Sequence, residues 1–332
     1  MLKLIATLAA SIAGTALALP DAPASAATGT TQVYEFPSTI GTVHYRVYTP
    51  PSARTGAPVP LVVFAHGCSA TAAQQQAASG YDDVADRFGF EVLYVDNDDG
   101  LHPRGCWRFY NASDERRDSG DVALIAGMTK AVIAADPIDQ NRVYALGMSS
   151  GAFMAGATAA AYPDIFAAAG LMAGGPFGSS ICLSGAATPV NQPAELTAAA
   201  QPQAHVMPFI ELHGDADTTV SPQCGTDAVD QWTRTDNRVI GGNPDTPIST
   251  TPSSTTAYSP AGLRSYEVST YAWANCPIGE HWVIHGMNHY WSGGTADPLY
   301  AKFTDPSGPS AAEATWNFFS RYRKTASTCP GQ

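Results

Sequence analysis

The chain has 332 residues, a formal net charge of −12, and hydrophobic residues at 45% of its positions. Its sequence pI near 4.9 argues against the basic surface by which proteins bind nucleic acid or anionic membranes. The length is sufficient for one large domain or two small ones with a substantial core. We therefore expect a compact globular protein that acts on a neutral or uncharged partner.

The N-terminal segment has the pattern of a secretory signal peptide. One lysine precedes an apolar run over residues 4–19, and the small triplet Ala-Ser-Ala follows at 24–26. The apolar run is short and has no flanking basic cluster, which argues against a transmembrane helix. We expect cleavage after Ala26, so that residues 1–26 are removed and the mature protein, residues 27–332, is extracellular.

Beyond this segment, strand-like and helix-like patterns alternate. The apolar segments are, in chain order, TVHYRVYTP, PLVVFAHG, FEVLYVD, RVYALG, FAAAGLMAGG, PFIELHG and HWVIHG. Several are continuous, as in strands covered on both faces, and helical patterns lie between them, for example over residues 121–135. This alternation predicts an α/β fold with a mostly parallel central sheet flanked by helices. TQVYEF and TVHYRVY predict an antiparallel hairpin at its start.

A Thr/Ser/Pro-rich run over residues 241–262 interrupts the alternation of strand-like and helix-like patterns. Such runs often link a domain to a binding module. Only about 70 residues follow it, however, and they contain more strand and helix of the same style. We interpret the run as a surface excursion within a single domain over residues 27–332.

Six cysteines are an even number in a chain that we expect to be exported. Structural disulfides are the ordinary outcome in such chains. No two of the cysteines are spaced C-x-x-C, so a zinc ribbon or a redox pair has little support. The spacing alone does not fix how they pair. The cysteines are Cys68, Cys106, Cys182, Cys224, Cys276 and Cys329.

A GMSSG corner at 147–151 follows a predicted strand and precedes a helical segment. This context fits the G-x-S-x-G nucleophile elbow, with Ser149 at its centre. The pentapeptide alone is equally compatible with a tight glycine turn. In the elbow reading, Ser150 would contribute its backbone N–H rather than its hydroxyl.

A serine nucleophile needs a histidine base, which a carboxylate in turn orients. The chain order Ser, acid, His is met by DADTTV after PFIELHG and by MNHYWSGG after HWVIHG. Both loops follow predicted strands, where open α/β sheets place their sites. We therefore predict Asp217 as the acid and His289 as the base. Asp215 is the rival acid, which we interpret as a solvated or capping residue.

Metal binding and a cysteine nucleophile are the competing interpretations. His281, His285 and His289 are spaced by four, but the sequence between them favours strand and turn over a metal-binding helix. The acids of DNDDG at 96–100 resemble part of a calcium loop and lack its remaining ligands. Cys68 has no histidine partner in a recognised nucleophile pattern. We expect none of these three sites.

Acyl transfer also needs two backbone N–H groups to stabilise the oxyanion. Ser150, directly after the predicted nucleophile, supplies the first. The loop FAHGCSA supplies the second, because Gly67 permits a close approach and the Cys68 N–H would face the oxyanion.

With these residues in place, the chain resembles the secreted polyhydroxybutyrate depolymerase and feruloyl esterase superfamily of α/β-hydrolases. The matching stretches are PLVVFAHGCSA, GCWRFY, SGDVALIAGM, NRVYALGMSSGAFMA, LHGDADTTVSP and GMNHYWSGG. The resemblance implies one α/β-hydrolase catalytic domain in which Ser149, Asp217 and His289 form the triad. It assigns the oxyanion donors to Cys68 and Ser150.

The resemblance also suggests a Cys68–Cys106 bridge beside the site. Cys182–Cys224 and Cys276–Cys329 are then the remaining pairs by guess.

The histidine loop departs from the family pattern Gly-His-Ala-Trp, because Asn288 and Tyr290 flank His289. These two side chains are larger than those of the family pattern, so they should alter the wall of the substrate pocket. Tyr290, Trp107 and Trp291 are candidates for substrate contact, with buried packing as the alternative for both tryptophans. We expect no C-terminal module of the kind that anchors many depolymerases to polymer, which weakens the expectation of a solid substrate.

The resemblance thus implies a serine carboxylesterase that works through an acyl-enzyme without cofactor or metal. The expected substrate is a short-chain polyester, poly(3-hydroxybutyrate), with feruloyl or acetyl esters of plant polysaccharide as the alternative. A catalytically dead binding protein on the same fold is the alternative of a different class. We expect a monomer that binds neither nucleic acid nor membrane.

Overall fold

The computed structural model describes residues 28–38, 41–97, 102–188, 192–274 and 276–324. The predicted signal peptide, part of the DNDDG segment and Cys329 lie outside these ranges. The strands are β1 (Thr30–Ser38), β2 (Gly41–Thr49), β3 (Val59–Ala65), β4 (Glu91–Val95), β5 (Ile138–Met148), β6 (Ala168–Met172), β7 (Phe209–Gly214), β8 (Ser254–Tyr258), β9 (Tyr266–Trp273), β10 (Cys276–Ile284), β11 (Trp291–Ser292) and β12 (Thr304–Asp305). The helices are α1 (Ala72–Ser79), α2 (Tyr81–Phe88), α3 (Gly120–Ala135), α4 (Ser150–Ala161), α5 (Gln192–Ala199), α6 (Pro222–Gly241) and α7 (Ala311–Phe319).

One ten-stranded sheet runs through the molecule in the order β1-β2-β4-β3-β5-β6-β7-β10-β9-β8. Neighbouring strands from β4 to β10 are parallel. The pairs at both ends of the sheet are antiparallel, including the opening β1–β2 hairpin. The prediction of a mostly parallel central sheet with an antiparallel start is therefore confirmed.

The central strands are covered on both faces, which explains their continuous apolar sequences. Every residue of β3 and β4 is buried. Leu61 and Val63 of β3 join the core under α3 and α4, whereas Val62 and Phe64 join the core under α2 and α7. Within the described ranges, no helix is both long and apolar enough to cross a bilayer.

The Thr/Ser/Pro-rich run at 241–262 contains a strand that the sequence did not predict. Strand β8 pairs with β9 at the sheet edge, and all five of its side chains are exposed. Before it, Ile248 is buried, and its backbone N–H and C=O bond the Asn237 side chain at 2.7 and 2.8 Å. A strand without a buried face has no apolar alternation, so its pattern was not visible in the sequence.

A buried carboxyl in α6 makes the stability of this fold depend on pH. Asp236 is fully buried, and its Oδ1 accepts a hydrogen bond from the Met207 N–H at 2.8 Å. Among the described residues its Oδ2 has no hydrogen-bond partner. Burial raises the pKa of this carboxyl well above its usual range. The folded protein therefore keeps a proton that the unfolded chain releases, and stability falls as pH rises between the two pKa values.

Asp236→Asn should relieve this cost. We expect a gain of about 1–3 kcal/mol at pH 7, measured as a higher Tm by calorimetry, and a smaller gain at pH 4, where the carboxyl is already about half protonated in the unfolded chain. Glu267→Gln, which changes an exposed carboxyl on β9, should have little effect at either pH. An equal gain at both pH values would contradict this explanation.

Candidate active site

Ser149 lies at the sharp junction between β5 and α4. Its backbone has φ 56° and ψ −123°, a conformation that non-glycine residues rarely adopt. Its N–H donates to the Met172 carbonyl at 2.9 Å. A Cβ at Gly147 would lie 2.1 Å from the Gly151 carbonyl oxygen, and a Cβ at Gly151 would lie 2.2 Å from the Ala65 carbonyl oxygen. Both flanking glycines are therefore required by backbone packing.

The structure brings the three predicted triad residues into one chain of hydrogen bonds. Ser149 Oγ lies 2.8 Å from His289 Nε2, and His289 Nδ1 lies 2.6 Å from Asp217 Oδ2. The Asp217 side chain is fully buried, and the His289 side chain is 16% exposed. With Nδ1 donating to the carboxylate, Nε2 is free to accept the serine proton.

Backbone donors fix the orientation of Asp217. Its Oδ1 accepts from the N–H groups of Thr219 and Val220 at 2.8 and 2.9 Å. Burial would raise the pKa of this carboxyl, but hydrogen bonds from His213, His289 and the Val220 N–H hold it well below its usual range. The group is therefore a carboxylate at neutral pH.

Asn288, one of the departures from the family pattern, connects the two loops of the site. Its Oδ1 accepts from the N–H groups of His289 at 2.8 Å and Thr218 at 3.0 Å. The histidine loop is thereby tied to the loop that carries the acid. A small residue in this position could not make these contacts.

The rival acid contacts a different histidine. Asp215 Oδ2 lies 2.8 Å from His285 Nδ1, and its Oδ1 accepts from the Gly286 N–H at 2.6 Å. About two fifths of each side chain is exposed, 41% for Asp215 and 40% for His285. His281 instead lies 3.1 Å from the buried Glu211. The three histidines thus face separate carboxylates, and the described residues contain no cluster suited to a metal ion.

The loop after β3, which was predicted to supply an oxyanion donor, lies against Ser149. A Cβ at Gly67 would be 3.2 Å from Ser149 Cβ, so the two backbones are nearly in contact. In the part of the chain described, the N–H groups of Cys68 and Ser150 donate to no other backbone carbonyl. The sulfur of Cys68 is bonded to Cys106, with 4.1 Å between the Cα atoms, which is incompatible with Cys68 as a free nucleophile.

The other cysteines within the described ranges are also oxidised. Cys182 is bonded to Cys224, as guessed from the sequence. Cys276 is disulfide-bonded as well. Its guessed partner, Cys329, lies outside the described residues, so that pairing stays a prediction.

Trp107 and Trp291, both proposed as substrate contacts, are fully buried. They pack inside the protein, and the prediction that they contact substrate is wrong. Trp107 Nε1 donates to the His66 carbonyl at 3.0 Å. Trp291 Nε1 donates to the Ser79 carbonyl at 3.0 Å, and its ring packs on Phe64. Because each indole is large and its N–H is hydrogen-bonded inside the protein, each tryptophan fixes the position of the loop that carries it.

Tyr290 is partly exposed beside His289. Of the three aromatic candidates, it is the one that keeps a surface within reach of a substrate.

Sequence reasoning missed two buried polar clusters behind the site. In the first, His102 Nε2 lies 2.7 Å from Asp121 Oδ1 with both side chains fully buried, and Asp121 Oδ2 accepts from the Arg108 N–H at 2.7 Å. This cluster holds the loop that carries Trp107. In the second, Glu211 lies 2.9 Å from His213. An acid inside an apolar segment, as in SGDVALIAG and PFIELHG, is the signal that could have identified both.

Residues 43–243 match the protein family described as Esterase PHB depolymerase. The chain belongs to this family. It is 31% identical over 270 residues to poly(3-hydroxyalkanoate) depolymerase C of Paucimonas lemoignei, across 78% of this chain and 61% of that protein. The chain thus spans about three fifths of the length of that relative.

Other relatives are named for different esters. Feruloyl esterase B of Thermothelomyces thermophilus is 30% identical over 220 residues, which cover 60% of this chain and 73% of that protein. Acetylxylan esterase A of Talaromyces purpureogenus is 30% identical over 228 residues, which cover 63% and 56%. The family membership therefore does not distinguish among these three kinds of ester.

A solved structure supports the fold. The acetyl xylan esterase from Aspergillus awamori superposes with a TM-score of 0.62 and 24% identity, over 78% of this chain and 94% of that one. The predicted α/β-hydrolase fold is therefore confirmed.

Two glycines of α4 allow a matched test of the close packing at the elbow. Gly151→Ala should destabilise this esterase-family fold by about 1–3 kcal/mol or more, because the added Cβ overlaps the backbone of β3. Gly156→Ala, in the same helix, should be neutral or stabilising by about 0.5–1 kcal/mol, since its Cβ would lie 3.6 Å from Leu171. Thermal unfolding of both variants would measure the difference. Equal Tm values would contradict the proposed close packing at Gly151.

Proposed function

We propose that this protein is a serine carboxylic ester hydrolase that works through an acyl-enzyme. The observation that carries the proposal is the Ser149–His289–Asp217 chain of hydrogen bonds at the strained elbow. Family membership and relatives named as esterases and a depolymerase support it.

In the proposed mechanism, Ser149 Oγ attacks the ester carbonyl carbon while His289 Nε2 takes the serine proton. The developing oxyanion is stabilised by the N–H groups of Cys68 and Ser150. His289 then returns its proton to the leaving alcohol oxygen. Water, deprotonated by the same histidine, attacks the acyl carbon, and His289 returns this proton to Ser149 Oγ as the bond to the acyl group breaks and the acid is released. Asp217 orients the imidazole and stabilises its protonated form.

The mechanism requires no cofactor. A catalytically dead binding protein would be expected to lack one of the triad residues, and the hydrogen bonds of Ser149, His289 and Asp217 support the enzyme instead.

Ser149→Ala should abolish hydrolysis of a short-chain p-nitrophenyl ester, with a loss of kcat on the order of 10⁴-fold or more. A matched pair then tests the acid. Asp217→Asn should lose most activity, whereas Asp215→Asn should retain it, because the Asp215 carboxylate bonds His285 and Gly286 rather than His289. Steady-state kinetics of the three purified variants would provide the comparison. Wild-type rates in Ser149→Ala would rule out the mechanism, and the opposite result for the two aspartates would reassign the acid.

For the substrate we propose a short-chain polyester, poly(3-hydroxybutyrate). One support is the depolymerase relative. The other is a set of exposed apolar side chains, which we call the apolar rim: Tyr110 (56% exposed), Ile181 (51%) and Leu183 (38%). Exposed apolar groups of this kind mark surfaces that bind apolar partners.

The apolar rim is connected to the triad through a small buried cluster. Ile181 and Leu183 flank Cys182, which packs with Phe153 and Val220. Phe153 lies in the first turn of α4 after Ser149, and Val220 donates its N–H to Asp217. Tyr110 is connected to the same cluster through Phe109. The two rings are in contact, and the Phe109 ring stacks on Phe153 with 4.6 Å between centroids. A water-insoluble polyester could therefore be held next to the nucleophile.

Replacing Ile181 and Leu183 together by Ser should lower the ratio of polymer clearing to soluble-ester hydrolysis by about tenfold, the equivalent of about 1.4 kcal/mol of lost apolar contact. Val33→Ser removes a comparably exposed residue, 55%, from the edge strand β1 and should leave the ratio unchanged. The assay compares a poly(3-hydroxybutyrate) film with a p-nitrophenyl ester.

An unchanged ratio of polymer clearing to soluble-ester hydrolysis in the double variant would show that the apolar rim does not bind the polymer. Release of ferulate or acetate from xylan, without clearing of the film by the wild-type protein, would favour the polysaccharide-ester alternative suggested by the other relatives.

We also propose that the protein is secreted and works outside the cell as a monomeric single catalytic domain. The signal-peptide pattern at residues 1–26 and the disulfides support export, because such bonds persist in oxidising environments.

A further inference from the structure

A buried acid and a buried histidine lie directly behind the proposed catalytic acid. Glu211 and His213 both lie on β7, with side chains 1% and 2% exposed. Glu211 Oε1 lies 2.9 Å from His213 Nδ1. On the other side of the ring, His213 Nε2 lies 3.0 Å from the Val220 carbonyl oxygen and 3.5 Å from Asp217 Oδ2. Neither Glu211 nor His213 takes part in the mechanism described above.

Both ring nitrogens of His213 face hydrogen-bond acceptors. A backbone carbonyl can only accept, so Nε2 must carry a proton. Nδ1 faces the carboxyl of Glu211, and the carboxylate of Asp217 lies on the opposite side of the ring. A protonated ring is therefore flanked by negative charge on both sides. Burial alone would lower the pKa of His213, but Glu211 and the hydrogen bond to Asp217 raise it to about 10.

The pair is shielded from water by the backbone of α6. A Cβ at Gly225 would lie 2.7 Å from Glu211 Oε2 and 2.9 Å from His213 Nδ1, so no side chain fits there. Other titratable groups around the pair lie on separate elements. Each of them interacts with Glu211, with His213, or with a residue that contacts one of these two. These groups are Asp217 after β7, Asp230 of α6, Tyr271 of β9, His281 of β10 and His289 after β10.

The same oxygen of Asp217 meets both histidines. Oδ2 lies 2.6 Å from His289 Nδ1 and 3.5 Å from His213 Nε2, while Oδ1 is taken by the two backbone N–H groups described above. The facing nitrogens of the two rings are therefore about 6 Å apart or less. When His289 takes the serine proton, two imidazolium rings share one carboxylate oxygen.

We propose that His213, held as an imidazolium by Glu211, is a positioning residue for Asp217 that also sets the pH range in which His289 can act as the base. The inference rests on the proposed function. The fixed positive charge lies on the opposite side of Asp217 Oδ2 from the His289 ring, so we expect it to extend the activity to lower pH. Its Nε2–H also limits the rotation of the Asp217 carboxylate about its side-chain bonds.

His213→Gln tests this role, because glutamine can donate to Glu211 and carries no charge. The acid limb of the kcat/KM profile reports the protonation of the free enzyme's base. We expect that limb to move to higher pH by about one unit or more in the variant, as loss of a charge at roughly 6 Å implies. His285→Gln, which removes an exposed histidine paired with Asp215, should leave the limb in place.

A merely structural role gives a different result. His213→Gln would then lose activity by the same factor at every pH, or lose only Tm, and the limb would not move. That outcome would overturn the inference while leaving the Ser149 mechanism intact, since the enzyme would still depend on Ser149.

A second measurement needs no substitution at His213. In ¹⁵N NMR spectra at pH 8, both ring nitrogens of His213 should show the shifts of a protonated imidazolium, in wild type and in inactive Ser149→Ala. A ring with one unprotonated nitrogen would overturn the inference even if His213→Gln fails to fold. If the wild-type protein hydrolyses no ester, the proposed function fails, whereas the NMR result still decides the charge of His213.

Discussion

The site depends on one close contact between backbones, where the start of α4 crosses the end of β3. Without side chains at Gly147 and Gly151, β5 can turn sharply into α4 against the Ala65 carbonyl. This contact accompanies the rare backbone conformation of Ser149 and places Ser150 at the start of α4. The nucleophile and both proposed oxyanion donors are thus positioned by the same piece of packing rather than separately.

The remaining parts of the site are placed by the parallel sheet and then fixed by polar contacts. Strands β7 and β10 are neighbours, so the loops that follow them bring Asp217 and His289 to the same edge as Ser149. The sheet alone does not orient the side chains. Backbone N–H groups orient the carboxylate, and Asn288 ties the two loops together. Behind them, Glu211 and His213 extend the polar chain into the core.

Much of this arrangement could be predicted from the sequence, because its signals are local. The GMSSG corner and the two loops after apolar strands are each visible in a few residues, and their order along the chain is a strong constraint. The roles of Trp107 and Trp291 were not visible, since a large aromatic residue near a site has the same sequence appearance whether it lines a pocket or anchors a loop. The contacts of Glu211 with His281 and of Asp121 with His102 join separate segments of the chain, and β8 has no apolar alternation.

The central claim is that Ser149 forms the covalent intermediate, and labelling tests it most directly. The protein would be treated with an organophosphate that mimics the tetrahedral intermediate, digested, and mapped by mass spectrometry. We predict one phosphoryl group per chain on Ser149, with loss of ester hydrolysis in proportion to labelling and no labelling of a His289→Gln variant. Full labelling at another residue, or complete retention of activity after Ser149 is modified, would contradict the account.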